Sequence, residues 1–147
     1  MAAKKKINTL VKGDTSAKAV DSAIATIHEV AATATKAVLA VNSEYKKLTK
    51  TAKSLNKKRA ALMKKTKTAT NKFKKEATAA NRKMVAALKK DIAAIRKEAE
   101  KVRNVKSAVG EELATLKAAS RRAVAYAKGV ASADKVLNKP KKAKRKT

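Results

Sequence analysis

From Val20 onward the apolar residues of this chain fall at alternating intervals of four and three: Val20, Ile24, Ile27, Ala31, Ala34, Val38, Val41, Tyr45, Leu48, Ala52 and Leu55. The series resumes at Leu62 after an interruption at Arg59. That alternation averages about 3.5 residues, the repeat that keeps one stripe of a helix facing a partner helix. A second seam follows in a shifted frame: Val85, Leu88, Ile92, Ile95, Ala99, Val102, Val109, Leu113 and Leu116, broken at Lys106. Nothing has the period of two that a strand requires. Two seams of similar length fit an antiparallel hairpin, and they fit pairing with another chain equally well.

Glycine occurs only at 13, 110 and 129, and proline only at 140, so no obligate helix breaker lies between Asp14 and Val109. A first N-cap is expected at Asp14, Thr15 or Ser16. Residues 64–71, KKTKTATN, are polar and rich in threonine, a mediocre interior helix residue, and are the expected bend or turn. Gly110 is expected to end one helix, with Glu111 and Glu112 in the first turn of the next. A last helix is expected to reach about Ala133. The expected fold is all-α, an elongated helical hairpin or coiled coil of two to four helices. It divides into a flexible basic N-terminus (1–13), a single helical domain (14–138) and a disordered basic tail (139–147). Within the domain lie a heptad seam over 14–62, a basic segment over 46–90 and the second seam over 85–133.

Composition limits the core. Hydrophobic residues make up 44% of the chain, but alanine dominates them, and the aromatics are Tyr45, Phe73 and Tyr126 alone. Alanine buries little area, so a large globular core is excluded and long helices are favoured. Without cysteine there are no disulfides and no thiolate metal sites.

Charge points to the partner. Lys and Arg number 39 against 11 Asp and Glu, a net charge of +28. A charge of this size opposes a compact state unless a polyanion neutralises it. Residues 1–45 hold six Lys and four acids; residues 46–90 hold seventeen Lys and Arg with the single acid Glu76, net +16; residues 91–138 hold ten basic and six acidic residues; the tail adds six more cations. As one helix, residues 46–90 would extend roughly 68 Å, alongside about 40 duplex charges. The expected phosphate-binding residues on this segment begin with Lys46, Lys47, Lys50, Lys53, Lys57, Lys58 and Arg59. They continue with Lys64, Lys65, Lys67, Lys72, Lys74, Lys75, Arg82, Lys83, Lys89 and Lys90. In the tail they are Lys139, Lys141, Lys142, Lys144, Arg145 and Lys146. A solvated coiled-coil flank would mix signs, pairing Glu with Lys four residues on, and this segment does not. Lysine outweighs arginine, which implies phosphate contact without base reading. The acids Glu98, Glu100, Glu111 and Glu112 are expected to pair with Lys97, Lys101 and Arg103. Self-association is expected through Val20, Ile24, Ile27, Val38, Val41, Tyr45, Leu48, Leu55 and Leu62.

Enzyme chemistry is not expected. His28 is the only histidine, the string HEVAA lacks the second His of a metalloprotease helix, and there is no glycine-rich phosphate loop. No cofactor, metal or small-molecule substrate is expected. Three scattered aromatics make no stacking platform for single strands. A membrane partner is not expected either. No segment approaches the roughly 20 apolar residues of a span, no signal-peptide stretch follows the basic start, and residues 46–90 carry mainly Ala and Thr where lipid-binding helices carry Trp, Phe or Leu.

The run SEYKKLTKTAKSLNKKRAALMKK (43–65), with the lysine-rich end, resembles the chlamydial-type histone-like proteins, lysine-rich bacterial counterparts of linker histones. The likeness covers residues 40–75 and the tail and is compositional. It implies a helical N-terminal half, a basic tail and sequence-independent chromatin compaction. Without a targeting signal the expected location is a nucleoid or chromatin within the cytoplasm; the chain departs from the family in its long near-neutral N-terminal stretch and short tail, which leaves a virion core open. The expected partner is double-stranded DNA, with RNA as the alternative polyanion for a structural coiled-coil protein, in a homo-oligomer.

Overall fold

The computed structural model describes the backbone of residues 2–138 and the side chains of residues 14–138. The tail at 139–147, with its six expected phosphate-binding residues, lies outside the described residues. Among the described residues there are two helices: α1, Ala2–Lys75, and α2, Ala79–Leu137. They pack against each other, and among the described residues there is no strand. Two compact units can be told apart. One takes in the described residues up to Leu39 with those from Thr115 onward, and the other is Ala40–Ala114.

The second unit contains the turn. Glu76 N–H still donates to Lys72 carbonyl (2.8 Å), the last bond of α1 geometry, and Thr78 N–H then donates to Glu76 carbonyl (2.8 Å). Thr78 is the N-cap of α2. Its Oγ1 accepts from Asn81 N–H (3.2 Å), and its carbonyl accepts the first helical bond, from Arg82 N–H (3.0 Å). The Asn81 amide then donates back to Glu76 carbonyl at 2.9 Å, tying the two helix ends together. Among the described residues no φ is positive, so this reversal needs no glycine.

Within this unit the seam continues without a break in phase. Tyr45, Leu48, Ala52, Leu55, Leu62, Thr66, Ala69 and Phe73 turn inward on α1, as do Asn81, Val85, Leu88, Ile92, Ile95, Ala99, Val102, Lys106, Val109 and Leu113 on α2. Leu55, Ala69, Val109 and Leu113 are buried. The expected turn at 64–71 is therefore wrong. Thr66 and Thr68 satisfy their hydroxyls by donating to the carbonyls four residues back, Leu62 at 2.8 Å and Lys64 at 3.2 Å, and the helix runs on.

The expected break at Gly110 is also wrong, because α2 passes straight through it. A Cβ at this position would stand 3.3 Å from Tyr45 Cε2, so the missing side chain makes room for the ring. The same ring carries Lys106, whose Nζ lies 5.2 Å from its centroid.

In the first unit, Ile24, Ile27, Ala31, Ala34 and Val38 of α1 and Leu116, Ser120, Ala123, Ala127 and Val130 of α2 turn inward, with Ala31 and Ala127 buried. No cap forms at Asp14, Thr15 or Ser16, since α1 already begins at Ala2. The Asp14 carboxylate instead pairs with Lys18 at 3.0 Å. At the other end α2 runs past Ala133 to Leu137. No side chain in the described residues is wholly buried, as expected of seams built largely from alanine.

Candidate nucleic-acid interface

Every expected phosphate-binding residue from Lys46 to Lys90 falls in the second unit, and each is exposed. The seam explains the arrangement. Once one stripe of a helix is committed to packing, residues seven apart share a line on the remaining surface, because two turns take about seven residues. On α1 this produces three rows of lysine: Lys46, Lys53, Lys67 and Lys74; Lys50, Lys57 and Lys64; and Lys58, Lys65 and Lys72. On α2, Lys83, Lys90 and Lys97 form one row, and Arg82, Lys89, Arg96 and Arg103 another. The rows Lys50–57–64 and Lys83–90–97 sit farthest from the seam on their own helices.

The turn changes the charge density inferred from the sequence. Residues 46–90 do not extend as one helix. They fold back at 76–78, so that the net +16 is carried on the roughly 45 Å of helix that 46–75 spans at about 1.5 Å per residue. Duplex DNA of that length presents about 26 charges at one per roughly 1.7 Å. Folding thus raises the cation density about one and a half times over the straight helix.

Among the described residues no lysine between 46 and 90 makes an ion pair, and Arg82 packs its guanidinium 6.0 Å from the Phe73 ring centroid across the turn. Glu98, Glu100 and Glu112 make no ion pair with Lys97, Lys101 or Arg103 among the described residues, which corrects the expected pairing for these three acids.

The self-association residues are placed differently. Ile24, Ile27, Val38, Val41, Tyr45, Leu48, Leu55 and Leu62 face the chain's own second helix, and Val20 is 58% exposed. Near the N-terminal end of residues 14–75 an 18-residue window reaches a mean hydropathy of 1.3, with 6% of it buried, so by length and composition this helix could cross a membrane. The expectation that no segment comes close is corrected accordingly. Among the described residues no group of three or more His, Asp or Glu is placed to hold a metal ion.

Several basic residues escaped the sequence reading. Arg96, Arg103 and Lys106 line one cleft with Arg59, Asn56 and Glu100. The signal was in the residue choice, arginine at a spacing of seven in a chain where lysine far outnumbers it. No family model, curated protein or solved structure matches this chain.

Proposed function

We propose that this chain binds nucleic acid through its phosphates, duplex DNA first, and condenses it without reading sequence. The observation that carries this reading is the set of exposed, unpaired cation rows on the hairpin of residues 40–114, with Glu76 as the sole acid between 46 and 90. Lysine ammonium groups are mobile point charges suited to phosphate oxygens and unable to make the bidentate contacts that read base edges. Binding gains its free energy from counterion release.

Condensation requires one particle to hold two duplexes. Most of the seam residues expected to join separate chains turn toward the chain's own α2, which supports a bridging route that does not depend on them. Bridging is therefore assigned to the two outward rows, Lys50, Lys57 and Lys64 on α1 and Lys83, Lys90 and Lys97 on α2. A likeness to lysine-rich histone-like proteins is compatible with this role and rests on composition alone.

Salt titration tests the reading. With about ten phosphates engaged, duplex affinity falls on the order of 10⁵ between 50 and 200 mM salt, alike for unrelated sequences. Replacing Lys57, Lys58, Lys64 and Lys65 with Gln lowers the slope by roughly one per lost contact. A salt-insensitive affinity, a strong sequence preference, tighter binding to structured RNA at matched salt, or capture by anionic vesicles in place of duplex would overturn it.

A further inference from the structure

The two seams are each broken once by a cation, at Arg59 on α1 and at Lys106 on α2. These positions are far apart in sequence, yet both line one cleft of about 450 Å³, together with Arg96 and Arg103. Asn56 and Glu100 complete its polar wall. All six lie in the unit Ala40–Ala114.

Three features set this cleft apart from the lysine rows. First, Arg59 takes a place in the repeat where an apolar side chain would pack, so it is at odds with the seam it interrupts. Residues that break a local pattern without a structural gain mark functional positions. Second, three of the chain's few arginines converge here while the surrounding surface is lysine. Arginine presents a planar fork that meets a phosphate with two parallel N–H···O bonds, which lysine cannot do. Third, the cations are not neutralised. Glu100 is the one carboxylate in the wall, and among the described residues it forms no ion pair with Arg59, Arg96, Arg103 or Lys106. Lys106 is held at the cleft's edge by Tyr45, with Nζ 5.2 Å from the ring centroid.

We propose that this cleft is a discrete phosphate site, in which Arg59, Arg96 and Arg103 grip a phosphate-bearing anion through bidentate hydrogen bonds. Lys106 and Asn56 add single donors. The phosphate is supplied either by a nucleic-acid backbone or by a free polyphosphate. The first source rests on the function proposed above, and the second is independent of it. In either case the cleft differs from the rows in kind. The rows respond to total charge, whereas the cleft responds to the shape of the cation.

The full chain carrying Arg96→Lys and Arg103→Lys keeps its net charge and loses both forks. Calorimetric titration with sodium tripolyphosphate at 150 mM salt forms one arm, and competition by a short duplex for the same protein forms the other. The wild-type chain is expected to bind with a stoichiometry of one in the arm that matches the natural source. The double variant weakens that binding by about tenfold, the loss of roughly one charge-assisted hydrogen bond. The control Lys117→Gln with Lys128→Gln, two exposed lysines outside the rows and the cleft, removes two charges and leaves tripolyphosphate binding unchanged. A second readout keeps a folding defect from passing as a binding defect: Arg59→Leu completes the seam, so its melting temperature rises while its anion affinity falls. Loss confined to the tripolyphosphate arm supports the site with a free anion as ligand, and loss in the duplex arm supports it with the backbone as ligand. Equal affinity of wild type and double variant in both arms overturns the site. Failure of the wild-type chain to bind duplex overturns the proposed function instead and leaves the tripolyphosphate arm to judge the cleft.

Discussion

Gly110 and Gly129 both lie inside α2, where glycine costs about 1 kcal/mol relative to alanine, but their surroundings differ. A Cβ at Gly129 meets nothing within 4 Å, whereas one at Gly110 meets the Tyr45 ring at 3.3 Å. Gly129→Ala should therefore gain the full propensity, about 1 kcal/mol, or a rise of roughly 2–4 °C in melting temperature. Gly110→Ala should gain less, because the ring must shift by a few tenths of an ångström and disturb its contact with Lys106. Thermal melts of the two variants side by side check this, and an equal or larger gain at Gly110 would contradict the packing role given to its missing side chain. From the sequence, Gly110 looked like a helix terminator, since glycine's commonest place in a helical chain is just past the C-terminus. The reason it is not lies in Tyr45, 65 positions earlier, a partner that only the pairing of the helices reveals. Arg59 and Lys106 were legible as interruptions of two separate seams. Their shared cleft was not, for the same reason.

At the scale of elements, the seams were readable and the turn was not. Both heptad runs predicted from spacing turn inward as written, from Ile24 to Leu62 and from Val85 to Leu116, apart from the cation at Arg59. The reversal escaped notice because it carries neither glycine nor proline and uses no positive φ. The threonine-rich stretch at 64–71 drew attention instead, and there the hydroxyls bond back to the helix rather than competing with it. What did mark the turn was phase: the step from Phe73 to Asn81 fits neither three nor four, and the second seam starts in a new frame. The cap makes this testable. Thr78→Ala removes the acceptor for Asn81 N–H and should cost about 1 kcal/mol, whereas Thr78→Ser should cost little. Hydrogen exchange at the first amides of α2 would show the fraying locally, and protection unchanged in Thr78→Ala would contradict the cap.

For the whole molecule, the two seams pack against each other within the one chain described, which alters what seam mutations should do. Ile27→Asp and Val41→Asp each place a carboxylate in a half-buried seam position and should each cost about 1–3 kcal/mol. Circular dichroism is expected to show lowered helicity or melting temperature with no change in molecular mass. Intact helicity accompanied by a fall in mass would show instead that the seam joins separate chains. The all-helical nature of the chain followed from composition and period alone, and its net charge followed from counting. The gathering of that charge around residues 76–78 depended on where the chain reverses. This reversal also sets the order of assembly. Phe73 and Arg82, nine residues apart and in contact across the turn, close a short loop at little entropic cost. Residues such as Ile27 and Ala127 lie at the ends of a far longer loop, and their pairing becomes inexpensive only after the intervening residues have zipped together. Closure is therefore expected to start at the turn and move outward along both helices. On that order the most cationic stretch, residues 46–90, takes its folded geometry before positions such as Ile27 and Ala127 are brought together.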